Sequence, residues 1–227
     1  MPDDKDRYQT VYAREKGSVA APTAGLHFTD HVFEDLKKRG VDTDFLTLHV
    51  GAGTFKPVKA ATMEGHQMHE EEVIIGLDFI RRLAQCEGKI VAVGTTSLRS
   101  LESLYWTALR IFNKPETALN IQVQQWEPYE YNMDQLPDFK FLLGNLIRLM
   151  EASGLDTLKG YTGLMVAPGY RIQTADMLVT NFHQPESTLL LLVSAFIGDD
   201  WRKVYAHALS NDYRFLSYGD SSLLHRR

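Results

Sequence analysis

Six short segments concentrate residues able to move protons or hold anions. The stretch 20–29, AAPTAGLHFT, sets small residues, a proline, a glycine and His27 just ahead of a helical pattern. A backbone cradle, an imidazole and a helix N-terminus would together suit an anionic group. A tight loop around a hydrogen-bonded histidine accounts for the same residues. Segment 48–57, LHVGAGTFKP, carries Gly51 and Gly53, which allow the backbone to approach a ligand closely, but no third glycine completes a dinucleotide fingerprint. Its His49 faces either the core or a cleft.

The densest titratable cluster is HQMHEE, 66–71. Two histidines three apart with carboxylates could supply acid–base groups or bind zinc. The H-E-x-x-H pattern and nearby cysteines are missing, so an acidic turn with one useful histidine, His69, reads better than a metal site. In VGTTSLR, 93–99, the turn Thr95-Thr96-Ser97 and Arg99 bring N–H groups, hydroxyls and a guanidinium to one helix start, chemistry for a carboxylate or phosphate. Capping by Thr96 or Ser97 is the structural alternative.

TNFHQPEST, 180–188, crowds Asn181, His183, Gln184, Glu186 and Ser187 between a hydrophobic strand and an apolar helix. So many polar groups beside a core must be paired or used. Pro185 and the Glu186-Ser187 pair also fit the start and cap of the helix. Last, YRFLSYGD, 213–220, joins Arg214, Tyr218 and Asp220 to aromatic rings, which stack on a nucleobase or simply fill a core.

The elements that hold these segments alternate. Thr29 caps a helix that presents Val32, Phe33 and Leu36 and stops at Gly40. Strands are expected over 45–50, 72–75, 89–93, 121–126, 164–167, 177–180 and, at the end, 215–218. Helices are expected over 79–86, from 98 to 109, over 142–150, over 189–197 and over 201–209. The 189–197 helix is apolar all round and should be deeply buried. This order gives an α/β fold: a mixed sheet, curled into an incomplete barrel, with flanking helices. The stretch 114–159, interrupted by Pro115, Pro128 and Pro137, reads as an insertion elaborating one domain that spans 1–227.

A chain of 227 residues buries roughly 70% of its extended surface and needs no staples. With 44% hydrophobic and 23% charged residues it is neither collagen-like nor disordered. The lone cysteine, Cys86, excludes an internal disulfide, and the apolar run 189–197 is too short for a bilayer. A polar, acidic start is unlike a signal peptide, so a cytoplasmic protein without membrane attachment is expected. Net charge is −5, which sits awkwardly with nucleic-acid binding.

Read in order, YQTVYA from Tyr8, GSVAAPTAGLHFT from Gly17, TLHVGAGTF from Thr47, H-x-M-H-x-E from His66, VGTTSLRSLES from Val93, APGY from Ala167, TNFHQPEST from Thr180 and YRFLSYGDSSLL from Tyr213 closely resemble the S-adenosylmethionine:tRNA ribosyltransferase-isomerase family of queuosine biosynthesis. The resemblance implies transfer and isomerisation of the ribosyl unit of S-adenosylmethionine onto 7-aminomethyl-7-deazaguanine in tRNA. Epoxyqueuosine forms, and adenine and methionine leave. S-adenosylmethionine is then a co-substrate, and no cofactor or metal is expected. Such chemistry needs a base beside the sulfonium, assistance to the departing adenine and a neutral amine, roles that suit His27, His49, His69 and His183. Substrate contacts fall to Thr23, Gly25, Gly51, Gly53, Thr95, Thr96, Ser97, Arg99, Asn181, Arg214, Tyr218 and Asp220, with Arg99 and the adjoining turn holding the methionine carboxylate or a tRNA phosphate.

Three departures accompany the match. The family's N-terminal region and inserted β-barrel domain are read as absent, and much of the tRNA contact would lie there. The stretch 114–159 is longer than the usual connection. Gln184 and Glu186 stand where the common form has an apolar residue and a lysine. A catalytically incomplete binding fragment and a metal-dependent small-molecule hydrolase using His66 and His69 stay open as alternatives.

Overall fold

A computed structural model describes residues 10–12, 22–49, 63 and 65–227. Among them lie seven strands and six α-helices. The strands are β1 (Thr47–His49), β2 (Glu71–Gly76), β3 (Val91–Val93), β4 (Ile121–Val123), β5 (Thr157–Thr162), β6 (Met177–Asn181) and β7 (Ser221–His225). The helices are α1 (Asp30–Lys38), α2 (Leu77–Gln85), α3 (Thr95–Asn113), α4 (Phe139–Ala152), α5 (Thr188–Ile197) and α6 (Asp200–Ser210).

The expected mixed α/β class holds, with the strands divided between two sheets that do not close into a barrel. One runs β1-β2-β5-β4, the other β3-β6-β7. Each is mixed: β4 is parallel to β5 and β3 to β6, while the remaining pairs are antiparallel. No helix of the described residues is long and apolar enough to cross a membrane.

Helix α3 touches strands of both sheets and packs along α4. Its residues from Leu98 to Leu109 are buried without exception, polar ones included. Such a helix needs internal partners for every polar side chain. Ser103 donates to the Arg99 carbonyl and lies 2.7 Å from Thr162 Oγ1. Glu102, fully buried, accepts from Tyr170 Oη (2.7 Å), Thr174 Oγ1 (2.5 Å) and the N–H groups of Gln173 and Thr174 (3.1 and 2.9 Å). Trp106 Nε1 donates to the same Tyr170 hydroxyl at 2.6 Å. Burial pushes the Glu102 carboxyl up, and the four donated hydrogen bonds pull it back. The carboxylate thereby ties the 170–174 loop to the central helix.

Several sequence expectations are corrected. Residues 164–167 form no strand: the Met165 N–H goes to the Gln125 carbonyl and the Ala167 N–H to Tyr129 Oη, so no ladder develops. The strand lies earlier, at Thr157–Thr162, where the polar TLKGYT pattern hid it. Residues 215–218 form a turn in which Leu216 has φ +70°, because Phe215 is drawn onto Phe182 and Tyr205; the closing strand is Ser221–His225. Helix α5 is present, but Leu189, Leu190, Leu191 and Ala195 are only half-buried. The 114–159 stretch, read as an elaborating insertion, carries β4, α4 and the first residues of β5, which is an interior strand of the larger sheet.

Glu102→Ala would strand two hydroxyls and two N–H groups, each at roughly 1–3 kcal/mol. We expect urea unfolding to show a loss of about 3–5 kcal/mol in total, allowing for relaxation; a loss under about 1 kcal/mol would contradict the role given to this carboxylate.

Candidate functional site

Strand β2 alternates, turning Glu71, Val73 and Ile75 inward. The inward carboxylate at its start needs a cation, and α3 supplies one from its first two turns. Arg99 Nη1 stands 3.0 Å from Glu71 Oε2, both side chains about 5% exposed or less. Arg99 Nε also donates to the Leu164 carbonyl at 3.1 Å. Its Nη2, although buried, has no hydrogen-bond partner among the described residues.

Arg99 and Glu71 form one wall of a cleft together with His66 and His69. Met68, Met165, Val166, Thr188, Leu189 and Leu192 complete its lining. The cleft sits beyond the carboxyl ends of β5 and β6, the usual ligand position in α/β sheets. An ion pair with one guanidinium nitrogen to spare, two imidazoles and an apolar floor can seat a small molecule that is anionic at one end and apolar at the other. The chain enters α3 through Gly94, at φ +94°, a value that favours glycine. No side chain caps the helix: Thr95 is buried, and Thr96 and Ser97 are half-buried beside Arg99.

A second group gathers at the end of β6. Asn181 Nδ2 donates to the carbonyls of Leu216 (3.2 Å) and Gly219 (3.4 Å) and lies 3.4 Å from His27 Nε2. Asn181 Oδ1 is buried without a partner among the described residues. His27 ends the 3₁₀ turn Thr23–His27, in which Gly25 is buried. The hydrogen bond from the Arg214 N–H, at 2.7 Å, holds the Asp220 carboxyl below its usual range. Gly219 makes this loop feasible, since a Cβ there would meet the Arg214 carbonyl oxygen at 2.4 Å. Tyr218 is exposed on the same loop.

His183 is placed apart from the cleft. Its ring Nε2 lies 2.9 Å from Thr180 Oγ1, and its N–H donates to Tyr205 Oη at 3.0 Å. Burial pushes its imidazole down to about 4, so it is neutral at pH 7. His49 lies on β1 opposite Glu72 in register. Gly51 and Gly53 lie outside the described residues. The structure therefore brings His69 and Arg99 together in one cleft and His27, Asn181 and Asp220 in a neighbouring group. Gln125 was not legible as a site residue, and Glu71 and Thr188 were read only as members of the 66–71 and 180–188 motifs.

Three surface arginines are tied to acidic neighbours. Arg81 pairs with Asp78 and Glu151, Arg82 with Asp44, and Arg226 with Asp176. Among the described residues no group of three or more His, Cys, Asp and Glu side chains is placed to hold a metal ion.

A family model described as queuosine biosynthesis protein matches residues 1–136 and 143–224. The stretch 114–159, expected to depart from the family pattern, is thus passed over at 137–142 alone. A protein of Rhizobium rhizogenes named S-adenosylmethionine:tRNA ribosyltransferase-isomerase is 44% identical over 231 residues, 99% of this chain and 52% of its own length. One of the same name from Mesorhizobium japonicum is 45% identical over 230 residues, with the same coverage. The chain spans about half the length of these relatives. A crystal structure of S-adenosylmethionine tRNA ribosyltransferase from Thermotoga maritima superposes with a TM-score of 0.55 at 31% identity, over 88% of this chain and 50% of that one.

The depressed His183 pKa has a sign that can be checked. The unfolded chain takes up this proton near pH 6.5, the folded chain only near 4. Stability held above pH 6.5 is lost as the pH falls towards 4, about 3 kcal/mol in all. Denaturant unfolding at pH 7 and pH 4 should show the wild type losing about 3 kcal/mol more than His183→Gln. Equal losses would contradict a buried, neutral His183.

Proposed function

The chain belongs to the queuosine biosynthesis protein family, and from that premise we propose that it carries the ribosyl-transfer site of an S-adenosylmethionine:tRNA ribosyltransferase-isomerase. In this reading S-adenosylmethionine is consumed as a co-substrate. Its ribosyl unit passes to the amine of 7-aminomethyl-7-deazaguanine in tRNA and is isomerised to the epoxycyclopentane of epoxyqueuosine, and adenine and methionine are released. Working on tRNA, the protein would act in the cytoplasm, with no membrane partner and no added cofactor.

The observation that carries the proposal is the buried Arg99 beside two imidazoles, with its Nη2 unoccupied by any described residue. The methionine carboxylate of the donor satisfies that nitrogen, and the apolar floor at Met165, Leu189 and Leu192 takes its thioether arm. His66 and His69 line the same cleft and would supply the base beside the sulfonium, since an imidazole loses and regains a proton near neutral pH. His27, held beside Asn181, is the candidate for assisting the departing adenine, with Tyr218 and Arg214 as a stacking surface for a base. His183 supports the β6–α5 turn from inside. Thr95, Thr96 and Ser97 add donors beside the anion. With Arg81, Arg82 and Arg226 already paired, tRNA is held chiefly by surface supplied by the additional length of the relatives.

Adenine release from S-adenosylmethionine in the presence of precursor tRNA tests this directly. The chain is assayed alone and joined to the remaining half of a relative. We expect release from the joined protein, and a fall of about 10²–10⁴-fold in His69→Ala. Absence of release from both forms would overturn the activity, and an unaffected His69→Ala rate would remove His69 from it.

A further inference from the structure

Segment 66–70 carries both cleft imidazoles yet has no helix or strand of its own. Its backbone groups need other partners, and one distant side chain provides two of them. Gln125 lies just past the end of β4. Its Nε2 donates to the His66 carbonyl at 2.6 Å, and its Oε1 accepts from the Met68 N–H at 2.9 Å. These two bonds bracket Gln67 much as a neighbouring strand residue would, exchanging one donor and one acceptor. Gln125 is itself fixed: its carbonyl accepts from the Met165 N–H at 3.1 Å, and Met165 also lines the cleft. One residue thus links the histidine-bearing segment to the wall beside Leu164, whose carbonyl holds Arg99.

We propose that Gln125 is the positioning residue of the cleft, its amide setting where His66 and His69 stand relative to Arg99. The assignment deepens the reading of the cleft as the ribosyl-transfer site and rests on it for its kinetic consequence. The chemistry demands an amide of this length. Glutamate keeps an acceptor for Met68 but turns a carboxylate towards the His66 carbonyl, alanine removes both bonds, and asparagine falls one methylene short.

The test compares wild type, Gln125→Ala and Gln125→Glu by amide exchange, by histidine ring resonances and by adenine release from the protein that carries the activity. In Gln125→Ala the Met68 amide should exchange about tenfold faster, the worth of one hydrogen bond, while amides of α3 and β5 keep their wild-type rates. The His66 and His69 resonances should move, and kcat should fall about tenfold or more with the KM for S-adenosylmethionine within about twofold, because the Arg99 contact is intact. Gln125→Glu should keep the Met68 amide protected while the His66 resonance shifts, which secures the test if the alanine variant folds poorly. Unchanged Met68 exchange and unchanged histidine resonances would overturn the proposal. Absence of release from wild type would overturn the functional reading alone, since exchange and resonances report on Gln125 without turnover.

Discussion

The Glu71–Arg99 pair is the constraint around which this fold is arranged. Strand β2 must turn Glu71, Val73 and Ile75 to the same side, because side chains alternate along a strand. A carboxylate delivered inward cannot stay without a counter-charge, since removing one partner of such a pair costs about 3–5 kcal/mol. Helix α3 answers with a guanidinium, at 3.0 Å. A lysine would have met the charge with one point. Arginine meets it with one edge, donates a second nitrogen to the Leu164 carbonyl and keeps a third in hand. The structural requirement of burying Glu71 therefore leaves behind a fixed, desolvated donor on a residue that lines a cleft.

The rest of the molecule holds that donor and its neighbours still. Below Arg99 on the same helix, Ser103 reaches Thr162 of β5 and Glu102 fastens the 170–174 loop. Beyond the sheet ends, Gln125 aligns the two imidazoles, and Tyr129 Oη takes up the Met165 carbonyl and the Ala167 N–H. Polar groups that would be costly in a core become an internal scaffold where they meet partners, as these do. The exposed ion pairs of Arg81, Arg82 and Arg226 contribute little to stability, but they offset local positive charge that would otherwise attract a polyanion.

Much of this was legible in the residues. The helix after Thr29, the long helix after Gly94 and the strand before Asn181 follow from capping residues and hydrophobic period. Arg99 and His69 stood out because their types and neighbours carry chemistry. What stayed hidden depended on distant contacts. Strand β5 has a polar sequence, and its place inside a sheet comes from pairing with β2 and β4, which lie far away in the chain. Glu71 was one carboxylate of the 66–71 cluster, and its ion pair became visible only with Arg99 opposite it. Gln125 gave no local signal, because its role exists only once residues 66–68 lie beside it. The 114–159 stretch looked irregular for the same reason: its regularity lies in what it packs against.

The account turns on whether the spare nitrogen of Arg99 receives the carboxylate of the donor molecule. Calorimetric binding of S-adenosylhomocysteine and of its decarboxylated analogue, to wild type and to Arg99→Lys, isolates that contact without turnover or tRNA. Lysine preserves a charge for Glu71 but lacks the second nitrogen. Wild type should prefer the carboxylate-bearing ligand by about tenfold or more, and Arg99→Lys should lose that preference to within about twofold. An equal preference in both proteins would place the carboxylate elsewhere and contradict the account.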